Sequence, residues 1–117
     1  MNAILCVDTN RRDLQKLSQL IRANGYICIP ADTPEEAVRA FSSSRVDMVI
    51  LDQGPEEASL AGRLERLRDV PTLMLADNVA RTPKPTGVDV LTPKPIHARE
   101  LLSAIDVLLR VPDTKVA

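Results

Sequence analysis

Apolar residues along the chain switch between short unbroken runs and stretches where they recur every three or four positions, and five such alternations fit the sequence. Ala3-Ile4-Leu5-Cys6-Val7 reads as a strand, followed by Leu14, Leu17, Leu20 and Ile21 at helical spacing with Gly25 where a helix end favours a left-handed residue. Tyr26-Ile27-Cys28-Ile29 is a second run. Thr33-Pro34-Glu35-Glu36 then forms a capping box with proline at the first helical position, opening a short helix through Ala37, Val38 and Phe41. Met48-Val49-Ile50-Leu51 ends at Asp52, and Leu60, Leu64 and Leu67 mark a third helix finishing near Arg68. Thr72 to Ala76 is the fourth run, Val88 to Leu91 the fifth. The last helix carries the cleanest stripe, Ala98, Leu101, Leu102, Ile105, Leu108 and Leu109.

Runs that are apolar throughout, without in-out alternation, are expected of a parallel sheet covered on both faces, with helical crossovers between the strands. The class is therefore α/β, a doubly wound parallel sheet of five strands. The fourth connection breaks the rhythm: Arg81-Thr82-Pro83-Lys84-Pro85 cannot lie inside an ordinary helix, so the fourth helix is predicted to be shortened or missing.

With 117 residues the chain is one domain's worth, and 44% apolar with 26% charged residues is ordinary globular composition. Fifteen Lys and Arg against sixteen Asp and Glu leave a net charge of -1 with no basic block, which argues against direct contact with nucleic acid. No apolar stretch approaches the roughly 20 residues that span a bilayer, so the chain is expected to be soluble and cytoplasmic, without membrane contact. Cys6 and Cys28 fall inside apolar runs and read as reduced core residues. Aromatic residues are 2% of the chain, too few to wall a flavin or stack bases.

In an open parallel sheet ligands bind beyond the carboxyl ends of the strands. The first run ends in Asp8, the third in Asp52, and the fifth reaches Lys94 through Thr92 and Pro93. Two carboxylates at neighbouring strand ends repel one another unless a cation lies between them, which suggests a divalent-ion site, Mg²⁺ first. A lysine from a third strand end would complete an anion pocket, and such a set suits phosphoryl transfer onto Asp52. Singly, an aspartate after a buried strand is often only a turn former or helix cap. The joint placement of the three carries the signal.

At these residues the sequence resembles the receiver domain of two-component response regulators, the CheY-like family. Three stretches carry the resemblance: Ile4-Leu5-Cys6-Val7-Asp8-Thr9-Asn10, Asp47-Met48-Val49-Ile50-Leu51-Asp52, and Leu91-Thr92-Pro93-Lys94-Pro95-Ile96. It implies a flavodoxin-like sheet of order 2-1-3-4-5 and a receiver domain over residues 1–110, while residues 111–117, which carry no pattern, read as a C-terminal tail or linker start. It also implies Asp52 as phospho-acceptor, Lys94 as the phosphoryl contact, Asp8 with Asp52 as ligands of Mg²⁺, and a cis Lys94-Pro95 bond. The implied partners are a histidine kinase or phosphotransfer protein as donor and an output domain or effector as reader, with a homodimer as a further option.

The chain departs from the family at several positions. The second acid of the pair after the first strand falls on Thr9, a neutral and weaker ligand, so magnesium binding is expected to be weak or absent; the alternative role for Thr9 is capping the first helix. The hydroxyl residue ending the fourth strand falls on Ala76, and a hydrogen bond to a charged group is worth about 1.5–3 kcal/mol. Asp77 beside it would bring charge of the wrong sign and is expected to point elsewhere. The switch aromatic falls on Leu91. After Asp52 the family's Met-Pro and later Gly are replaced by Gln53-Gly54-Pro55 and Leu60. His97, at the start of the last helix, has no second histidine to work with and reads as a cap or an exposed residue. Arg63, Arg66 and Arg68 read as a solvated face paired with Glu65 and Asp69, against a rival reading as a docking patch for an acidic partner.

Two functions from the same fold follow: a receiver that takes a phosphoryl group on Asp52 with altered readout, and a pseudo-receiver that acts by protein contact without phosphorylation. Neither is an enzyme beyond forming and losing its own aspartyl phosphate. A third class, a flavodoxin-like enzyme or cofactor binder, lacks a phosphate loop in Thr9-Asn10-Arg11-Arg12, and a phosphohydrolase would want an acid where Asn10 stands.

Overall fold

The computed structural model describes residues 1–110, and of residues 55–58 the backbone only. The tail expected over 111–117 lies outside the described residues. Strands β1 (Ala3–Val7), β2 (Ile27–Ala31), β3 (Met48–Asp52), β4 (Thr72–Ala76) and β5 (Val90–Pro93) form one parallel sheet of order β2-β1-β3-β4-β5. Helices α1 (Arg11–Ala23), α2 (Pro34–Ser43), α3 (Pro55–Leu67) and α4 (Ala98–Arg110) connect and cover it. The doubly wound reading holds, including the lost helix: between β4 and β5 there is only a 3-10 turn at Val79–Arg81.

The apolar runs become strands because both sheet faces are covered. Ile4, Cys6, Met48, Ile50 and Leu73 point to one side, against Leu14, Leu17 and Ile21 of α1 and Leu101 and Ile105 of α4. Leu5, Val7, Val49, Leu51 and Met74 point to the other, against Ala37 and Phe41 of α2 and Leu60 and Leu64 of α3. Each fully buried side chain of this size contributes roughly 1.5–3 kcal/mol. Phe41, fully buried, also lies under the Arg68 guanidinium, 4.4 Å from its ring centroid.

The helix starts follow local chemistry. Asn10 Oδ1 accepts from the Asp13 amide at the head of α1, and Thr33 Oγ1 from the Glu36 amide at the head of α2. The cap of α1 is thus Asn10, not Thr9, which is exposed. Gly25, at φ +88°, turns the chain from α1 into β2.

Some boundaries shift from the sequence reading. The second strand starts at Ile27 and runs to Ala31, accommodating Pro30 because β2 is an edge, and the fifth starts at Val90, so that Val88 is buried before the strand begins. Leu67, read as part of the third helical stripe, is 55% exposed at the helix end. Among the described residues Arg63 and Arg66 make no ion pair, so the expected pairing with Glu65 and Asp69 does not form, and Arg68 packs on Phe41 instead. In place of a fourth helix, the proline-bearing segment between the 3-10 turn and Val88 lies against α3: Gly87 approaches so closely that a Cβ there would sit 2.6 Å from the Ala61 carbonyl oxygen. Cys6 and Cys28 are free, buried thiols with sulfurs 3.4 Å apart.

Candidate functional site

Three strand ends meet in one cleft. Asp8 follows β1 directly and is 4% exposed; its amide donates to the Ala31 carbonyl at the end of β2, and its Oδ1 accepts from the Asn10 amide at 2.8 Å. These bonds aim the carboxylate across the sheet's end. Asp52 closes β3, in register with Leu75 of β4. Lys94 follows β5, where its amide donates to the Ala76 carbonyl at 2.9 Å, and the Lys94-Pro95 bond is cis. The Lys94 ammonium pairs with Asp52 Oδ1, a buried oxygen with no other hydrogen-bond partner among the described residues. Asp8, Asp52 and Lys94 line a cleft of about 410 Å³, to which α1 adds Asp13, Lys16 and Leu20.

The electrostatics follow from this crowding of acids. Burial raises the Asp8 carboxyl above its ordinary range; the Asn10 amide opposes that, and the nearby Asp52 and Asp13 charges push it further up. Burial alone would lower the Lys94 ammonium, but the hydrogen bond and charge of Asp52, with smaller contributions from Asp77 and Asp8, shift it upward, so it stays charged. The cleft therefore holds three carboxylates, Asp8, Asp13 and Asp52, against the two ammonium groups of Lys16 and Lys94, and Asp8 is left short of positive charge. A hard divalent ion fits that deficit. Mg²⁺ can be held through one or two carboxylates with water completing its shell, and Asp8 and Asp52 are the residues present to do so. Among the described residues no three acidic, histidine or cysteine side chains are close enough together to hold a metal ion between them, and Thr9 is exposed.

The sequence reading missed Gln53. Its Oε1 accepts from the Asp77 amide at 2.9 Å, and its Nε2 donates to Thr82 Oγ1 at 3.4 Å; Thr82 Oγ1 in turn donates to the Asn78 carbonyl at 2.6 Å. Asp77 is exposed. No local sequence signal marks the Gln53 bridge, because its partners lie 24 and 29 positions away. Asp13 and Lys16 also line the cleft without a sequence signal of that role, since both stand at exposed positions of α1. His97 is exposed, and its carbonyl accepts from the Leu101 amide as the residue before α4.

No protein-family model matches the chain. The transcriptional regulatory protein CpxR of Escherichia coli K12 is 29% identical over 117 residues, covering 94% of this chain and 50% of its own length. The chain thus spans about half the length of the curated relatives it matches. A CheY-like response regulator receiver domain from Methanospirillum hungatei superposes with a TM-score of 0.83 at 22% identity, covering 93% of this chain and 94% of the other. The response regulator TrrA from Thermotoga maritima, solved in complex with Mg²⁺ and beryllium fluoride, has a TM-score of 0.82 at 26% identity, covering 92% and 99%.

Proposed function

We infer, for a chain whose homologues are response regulators and whose fold is that of CheY-like receiver domains, that it takes part in two-component signalling by accepting a phosphoryl group on Asp52. A carboxylate oxygen of Asp52 attacks phosphorus in a phosphohistidine or a small acyl phosphate. The new P–O bond forms as the bond to the donor breaks; an imidazole leaving group takes up a proton, and an acyl donor departs as its carboxylate. Lys94 is placed to shift its ammonium from the Asp52 carboxylate onto the phosphoryl oxygens as charge moves outward. Magnesium, when held at Asp8 and Asp52, supplies further positive charge to those oxygens. The observation that supports this most is the shared cleft, in which a buried Asp52 oxygen has, among the described residues, only the Lys94 ammonium as partner.

The donor in this reading is a histidine kinase or phosphotransfer protein, the reader an output domain or effector, and the compartment the cytoplasm. Self-association to a homodimer is a further outcome. No helix among the described residues is long and apolar enough to cross a membrane. In this reading the receiver domain covers residues 1–110.

Fluorine NMR of the chain with Mg²⁺ and beryllofluoride tests the acceptor. A bound signal that Asp52→Ala abolishes is expected, with circular dichroism confirming that both proteins are folded. A folded wild type without the signal would instead favour the pseudo-receiver reading, to which the missing hydroxyl at Ala76 already lends weight.

A further inference from the structure

The acceptor strand lacks the usual means of signalling to its neighbour. Ala76 ends β4 without a hydroxyl, and Leu91 in β5 has no ring to swing. Gln53, the residue immediately after Asp52, nevertheless ties β3 to the segment beyond β4 at two points. One is the Asp77 amide, the first backbone donor past the β4 tip; the other is Thr82, which is itself anchored on the Asn78 carbonyl on the far side of the 3-10 turn. The 3-10 turn of this segment also packs against β5, and in place of a helix the chain continues as the proline-bearing stretch that meets α3 at Gly87.

We propose that Gln53 is a positioning residue that couples the state of Asp52 to the segment 77–82, standing in for the missing hydroxyl and aromatic. The inference rests on the acceptor reading for its meaning, since Asp52 must change state for the coupling to be used. Its physical content is separate. Gln53 shares a peptide bond with Asp52, so any shift of the β3 tip that accommodates new charge or bulk on Asp52 also displaces the Gln53 carboxamide. The Gln53–Thr82 bond is partly buried and resists breaking, because a group left unpaired there carries a desolvation cost, while the exposed bond from the Asp77 amide gives the carboxamide a second hold. The displacement therefore passes to the Asp77 amide and to Thr82. The exposed surface of Asp77, Asn78 and Ala80 is what a partner would see move.

The test uses backbone-amide NMR of the full chain and alters Asp52 by substitution, so that it does not depend on phosphorylation. Spectra of the chain and of Asp52→Asn are compared in two backgrounds, with Gln53 intact and with Gln53→Met, which keeps the bulk and removes the amide. The expected result is that D52N shifts the amides of 77–82 in the first background and shifts them about threefold less in the second, while shifts around Lys94 persist in both. Asp77 amide exchange is also expected to speed by roughly five- to tenfold in Q53M. Equal shifts at 77–82 in both backgrounds, or unchanged Asp77 exchange, would overturn the proposal. Beryllofluoride added to the wild type separates the two claims: absence of an adduct alongside a Gln53-dependent D52N response removes the acceptor reading and leaves the coupling intact.

Discussion

Asp8 shows how a single residue reports the site's imbalance. Its carboxyl is raised above its ordinary value in the folded chain by burial first and by the Asp52 and Asp13 charges next, so the folded state holds this proton more tightly than the unfolded state does. The resulting penalty is absent at pH below the ordinary carboxylate range and grows as pH rises through and above it. Asp8→Asn, which can still accept the Asn10 amide, is therefore expected to raise the urea midpoint at pH 7. The gain should shrink toward zero as the pH is lowered below about 4, the ordinary range for carboxylates. A gain that stayed constant with pH would mean that Asp8 is not strained by its charge. At this scale the sequence revealed Asp8, Asp52 and Lys94, because each follows an apolar run and strand ends gather at one edge of a parallel sheet. It concealed Gln53 and Asp13, whose relevance comes only from side-chain direction.

Among the elements, the connection from β4 to β5 departs furthest from a regular crossover. Pro83 and Pro85 made the loss of a helix legible, since neither can sit in a helix interior without cost. Where the segment goes was not legible, because it is fixed by Gly87, at φ +89° and in backbone contact with Ala61 of α3. Gly87→Ala combines left-handed strain with a clash against a helix backbone that cannot yield, and an expected loss of roughly 2–4 kcal/mol follows. Gly25→Ala is the control: its φ is +88°, but nothing lies within 4 Å of the added methyl, so the loss is expected near 1 kcal/mol. Urea unfolding of both variants checks the difference; equal losses would mean that the close approach to α3 carries no weight. The boundary shifts at β2 and β5 have a similar origin, as Pro30 and Pro93 are strand residues only because edge strands tolerate a missing donor.

For the whole molecule, the apolar pattern specified two core layers on a five-stranded sheet, and those layers place the three strand tips of the cleft. Both outer strands carry a proline, which discourages pairing with another chain's edge. An ion held at Asp8 and Asp52 in the folded state alone would link fold and cleft, stabilising by RT ln(1 + [L]/Kd). Magnesium is expected to raise the thermal midpoint of the wild type and to leave Asp8→Asn and Asp52→Asn unmoved; an equal rise in all three would place the ion elsewhere. The most direct test of the account is intact-mass spectrometry of the chain after incubation with Mg²⁺ and acetyl phosphate. The expected result is the added mass of one HPO₃ group, absent in Asp52→Ala and formed about a hundredfold more slowly in Lys94→Met, which loses the ammonium. A wild type that remains folded and unmodified, or one whose modification survives Asp52→Ala, would contradict it.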